Sequence, residues 1–65
     1  MKSKDEHTPL VLDQQAAAHA LGLSASTLRR WAREGRGPAV LRIGRLVRYR
    51  PEDLDRFLRL QRPTR

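Results

Sequence analysis

Cysteine is missing from this chain altogether. Disulfides and thiolate zinc sites are therefore excluded, which fits a reducing compartment. Aromatic residues are scarce, with one Trp, one Tyr and one Phe among 65 residues. A domain near the lower size limit has a thin core, so each of those rings counts in it. A cleft able to bury a substrate is hard to build at this size. The two histidines, His7 and His19, are too far apart and too poorly accompanied to form a metal site. No apolar run approaches the length of a membrane span, and "MKSKDEHTP" at residues 1–9 lacks the apolar centre of a signal peptide. There is no carboxylate pair in a pocket and no nucleophile beside a base. These absences lead to the expectation of a soluble, cytoplasmic, non-enzymatic protein that uses no cofactor, metal, membrane or small-molecule ligand.

Acidic residues are also scarce where they would matter most. The formal net charge is +7, from 14 basic and 7 acidic side chains. Residues 1–24 carry a net −1, residues 25–50 a net +7, and residues 51–65 a net +1. The middle segment therefore holds the whole excess, and Glu34 is its sole acid. A surface built only for solubility intersperses both signs. The basic residues of that segment are all arginine, whose planar fork fits phosphates and guanine edges better than lysine does. A polyanionic partner is the expectation.

Residues 1–9 read as a flexible polar tail, 10–60 as one domain, and 61–65 as a basic tail. "LVL" at 10–12 is apolar and is expected to pack on the core. Asp13 is a natural N-cap for a first helix over 13–21, where "QQAAAHAL" is rich in the best helix former. Ala17, Ala20 and Leu21 share a face at i, i+3, i+4. Gly22 ends that helix, Leu23 plugs the turn, and Ser24 caps a second helix over 25–34. So short a glycine-containing connection is the signature of a helix-turn-helix.

In the second helix Leu28, Trp31 and Ala32 fall on one side, while Ser26, Arg29, Arg30 and Arg33 fall on the other. The spacing from Leu28 assigns Trp31 to the core rather than to a base-stacking platform. "GRGP" at 35–38 stops the helix. "AVLRI" and "LVRYR" then flank a Gly44-Arg45 centre, a hairpin over 40–49. Leu41 with Ile43, and Val47 with Tyr49, are the candidates for its buried face. Arg42, Arg48 and Arg50 are expected to point outward, with Arg45 at the tip. Pro51 at the first helical position opens a third helix over 51–60, with Leu54, Phe57 and Leu58 as its inward stripe. The architecture expected is mostly α with a small β-hairpin, a winged helix-turn-helix.

Four arginines around one short helix repel each other unless something anionic lies against them. A helix has the right width for the DNA major groove, where arginine can bond O6 and N7 of guanine together. The candidate DNA-contacting residues are Ser24, Ser26, Thr27, Arg29, Arg30 and Arg33 on the helix, and Arg42, Arg45, Arg48 and Arg50 on the wing. A charged helix face alone is often only solvated; the conjunction with a tight turn and a basic hairpin is more specific.

The stretch from Leu12 to Leu58 resembles the excisionase-type helix-turn-helix domain, close kin of the MerR-type and AlpA-type domains. Its most specific parts are "LGLSASTLRRW", "GRGPAVLRIG" and "VRYRPEDLDRFL". The resemblance implies a winged-helix DNA binder. It maps Ser26, Thr27, Arg29 and Arg30 to the recognition helix and Arg45 and Arg48 to the wing. Some such proteins are recombination directionality factors that bend attachment-site DNA, with a phage-type integrase as partner and cooperative self-association on DNA. Others are small transcriptional regulators. The chain departs from the pattern where a glutamate is common near Gln15, and it lacks the long dimerisation helix of full MerR regulators. A basic protein-docking module and, more weakly, an RNA binder remain as other readings.

Overall fold

A computed structural model describes residues 10–63, and the tail expected at 1–9 lies outside them, as do residues 64 and 65. The elements run α1 (Gln14–Leu21), α2 (Ala25–Arg33), β1 (Leu41–Ile43), β2 (Leu46–Arg48) and α3 (Pro51–Arg59). This is a winged helix-turn-helix: three helices and one two-stranded antiparallel hairpin.

Local chemistry sets the helix ends. The Asp13 carboxylate accepts from the Ala16 amide at 2.8 Å and satisfies one of the free donors at the start of α1. Gly22 closes α1 in the left-handed region at φ 74. The Gly22 amide donates to the carbonyl of His19, and that of Leu23 donates to Ala18 at 2.8 Å. This paired closure swings Leu23 back onto the core, where it is half-buried. Ser24 follows directly as N-cap of α2, its hydroxyl accepting from the Thr27 amide at 3.1 Å. The same closure recurs after α2, with Arg36 donating to the Trp31 carbonyl at 2.8 Å. Gly37 then passes so near the indole that an added Cβ would meet Trp31 Cε3 at 3.1 Å.

The core is Ala17, Ala18, Leu28, Tyr49 and Leu54, with Leu12, Leu21, Leu23, Trp31, Val40 and Val47 packed around it. Trp31 is half-buried and meets Phe57 of α3 with ring centroids 6.1 Å apart. Several expected packing positions differ. Ala18, not Ala20, joins Ala17 in the core, because the covered arc of α1 is centred on Leu21. Leu58 is 51% exposed, since α3 packs through Leu54 and through Phe57 on Trp31. Leu10 is exposed, and the packing expected of 10–12 comes from Leu12. Leu12 and Tyr49 exchange two backbone hydrogen bonds of 2.8 Å each, an isolated antiparallel bridge that ties the incoming chain to the end of the wing.

The hairpin pairs Leu41 with Arg48, Arg42 with Val47, and Ile43 with Leu46. Directly paired residues point to the same face. Leu41 and Ile43 therefore share a face with Leu46 and Arg48, and Val47 belongs to the opposite one. The expected grouping of Leu41 and Ile43 with Val47 and Tyr49 is corrected accordingly. The reason is arithmetic: a two-residue loop joins residues three apart, so the inward set changes parity at the turn. Gly44 has φ 61 and no other residue of the turn has positive φ, as the turn with glycine at the first corner requires.

Candidate nucleic-acid interface

The capped start of α2 and the packing of Leu28 fix which way that helix faces. Ser26, Arg29, Arg30 and Arg33 are all exposed on its outer side. Among the described residues none of these three arginines has a carboxylate within ion-pair distance, and the same holds for Arg42, Arg45 and Arg48. Ser24 and Thr27 stand differently. Their hydroxyls bond each other at 2.9 Å, and Ser24 holds the cap, so both are tied to building the helix.

On the wing, Arg45 sits at the turn and is exposed, as is Arg42. The register puts Arg42 on the side of Val47 and Arg48 on the side of Leu41, so the two do not share one outward face. Arg48 is half-buried and donates to the Val47 carbonyl at 2.8 Å. Arg50 lies beyond β2 as the N-cap residue of α3, where its guanidinium pairs with Asp53 at 3.0 Å. It belongs to the helix junction rather than to the wing.

Helix and wing meet around one open concavity of about 410 Å³. Ala25 and Arg29 of α2 line one wall, and Arg45, Leu46, Val47 and Arg48 line the other. Asp13, Gln14 and Gln15, at the start of α1, form its third side. Neither glutamine is among the contact residues expected from the sequence, where Gln15 stands out only as a departure from the family pattern, although the cap signal at Asp13 marks both as first-turn residues with free amides. Arg30, Arg33 and Arg42 lie outside this concavity. Arg36 is engaged elsewhere, its guanidinium 5.3 Å from the centre of the Trp31 ring and 3.1 Å from Glu34.

Residues 11–62 match the model of a helix-turn-helix domain family. The chain belongs to that family. Among curated proteins, none matches it. A helix-turn-helix domain implies DNA as the partner, and domains of this family are typically non-enzymatic DNA binders. No described helix is long and apolar enough to cross a membrane. Among the described residues, no group of three His, Cys, Asp or Glu gathers as a metal site would require.

Proposed function

We propose that this helix-turn-helix protein is a sequence-specific, architectural DNA-binding protein, an excisionase or recombination directionality factor. The observation that carries the reading is the concavity shared by Arg29 of α2 and by Arg45 and Arg48 of the wing. In B-DNA a phosphate ridge separates the major groove from the minor groove. With α2 in the major groove and the wing beside the minor groove, that ridge lies in the concavity, where arginines meet it from both walls. Arg30, Arg33 and Ser26 then face base edges and the far backbone, and Ser24, Thr27, Arg42 and Arg50 are secondary contacts at most.

A protein that grips two successive grooves favours bent DNA, because bending brings more phosphate within reach. Bending costs on the order of 1–6 kcal/mol, which contacts from several protomers in tandem can offset. In this reading residues 10–60 are the DNA-binding unit, the protein works in the cytoplasm on the nucleoid, and an integrase on neighbouring sites carries out the recombination chemistry.

The test is a gel-shift and circular-permutation bending assay on the DNA flanking the protein's own gene, with scrambled competitor present. A laddered, competitor-resistant shift with position-dependent mobility supports the architectural reading. A single unbent complex at a promoter assigns the protein to transcriptional regulation instead. Equal competition by scrambled DNA returns the arginines to a general docking surface for acidic partners.

A further inference from the structure

The hairpin register leaves an unusual pair at the wing tip. Ile43 and Leu46 are direct cross-strand partners that flank the Gly44-Arg45 turn. They are 48% and 52% exposed, two large apolar side chains side by side on one face. Leu46 also lines the concavity that Arg29, Arg45 and Arg48 share. Leu46 thus joins the apolar pair to the arginine-lined surface, with Ile43 beside it on the same face of the hairpin.

We infer that the wing is a wedge: Ile43 and Leu46 insert between adjacent base pairs from the minor groove and partly unstack one base step. This inference rests on the DNA-binding reading above and adds a means of bending. Two observations and one consequence of the proposed docking favour DNA over a protein as the occupant. First, Arg48 shares the face of the pair and Arg45 stands in the turn between its two members, and the sequence from Gly35 to Pro51 contains no acid to offset their charge. Second, two side chains on three-residue strands are far too small a patch for a stable protein interface, which needs about 800 Å² on each side. One or two apolar residues are the usual size of an intercalating wedge. Third, such a wedge would open the minor groove and kink the duplex toward the major groove, the groove into which the proposed function puts α2. The wing then reads how easily a step deforms rather than which base edges it shows, and flexible pyrimidine–purine steps are favoured at its position.

The experiment uses the full chain and duplexes recovered from a randomised pool by selection on the wild-type protein. 2-Aminopurine, a fluorescent adenine analogue quenched by stacking, is placed in turn at each position of a recovered duplex. The wedge predicts a several-fold fluorescence rise at one step on binding. In the Ile43→Ser/Leu46→Ser double variant that rise is lost and affinity falls roughly ten- to hundredfold. An Ile43→Val/Leu46→Met variant, which keeps the pair apolar, retains the rise. Circular dichroism of each variant checks that the fold is intact, as expected for two exposed positions. Enrichment of a specific duplex with no fluorescence rise at any step overturns the wedge and leaves the DNA-binding reading standing. A wild-type self-association that the double variant abolishes, with 2-aminopurine unmoved, gives the pair to a second copy of the chain and also overturns it. No enrichment at all overturns both.

Discussion

Trp31 and Arg30 are neighbours in sequence on opposite faces of α2, one half-buried and one exposed, and substitution separates them. Trp31 is half-buried, packed on Phe57, approached by Gly37 and covered by the Arg36 guanidinium. Trp31→Ala is expected to cost roughly 3 kcal/mol, the lower end for an aromatic truncation because the ring is only partly enclosed. Total stability of about 0.05–0.15 kcal/mol per residue is about 3–10 kcal/mol for a chain of this length, so the variant is expected to melt well below wild type, and to be only marginally folded at the low end of that range, in a thermal or urea titration. A Trp31→Ala protein that melts like wild type and has lost only DNA affinity would move the indole to the interface. Arg30 is exposed and makes no ion pair among the described residues. Arg30→Ala is expected to leave the melt unchanged and to weaken binding to a recovered duplex by about 1–3 kcal/mol, with a smaller loss on scrambled DNA. An equal loss on both would make Arg30 a phosphate contact. The division between these two residues was legible in the sequence, since the helical period from Leu28 fixes it. The partial exposure of Trp31 was not, because it depends on how much of the indole Phe57 and Arg36 cover from elements distant in the chain.

At the scale of elements, caps and turns were the most legible features. Asp13, Gly22, Ser24, Gly44 and Pro51 each do in the structure what their local chemistry prescribes. Which face of an element finds a partner was less legible. The i, i+3, i+4 rule picked Ala20 and Leu58, but the neighbours of α1 and α3 lie to one side of those stripes. The wing shows the other kind of difficulty. Gly44-Arg45 marks its turn in the sequence, but the parity change that a two-residue loop imposes puts Ile43 opposite Leu46 on an exposed face instead of inward with Val47. Arg50 was counted with the wing by its sequence position, whereas the third helix claims it through Asp53. Substitutions at Ser24 and Arg45 test these elements. Ser24→Ala removes the α2 cap and is expected to lower stability by about 0.5–2 kcal/mol. Ser24→Asp keeps the cap acceptor, so the fold persists, while the added charge at the start of α2 lowers DNA affinity; unchanged affinity would place this end of the helix away from phosphate. Arg45→Ala at the wing tip is expected to weaken specific and scrambled duplexes alike and to reduce the salt slope by about 1. A loss confined to the specific duplex would instead make Arg45 a base reader.

The whole molecule is a small scaffold that aims one helix and one hairpin at a common concavity. The core cluster of Ala17, Ala18, Leu28, Tyr49 and Leu54, with half-buried side chains packed around it, holds that arrangement. The net charge of the central segment, legible from composition alone, becomes a directed surface only because the short Gly22–Ser24 turn and the Leu12–Tyr49 bridge fix α2 and the wing relative to α1. The concavity itself was not visible in the sequence. It joins Gln14 and Gln15 to Arg29 and Arg48, residues that no local pattern connects. The central claim is that this surface discriminates among DNA sequences instead of binding any polyanion. The most direct measurement is a competition titration of the wild-type protein at physiological salt, with the recovered duplex labelled and either itself or scrambled duplex as competitor. For a sequence-specific surface, scrambled DNA competes at least about 10³-fold more weakly. Equal competition by the two duplexes would contradict it.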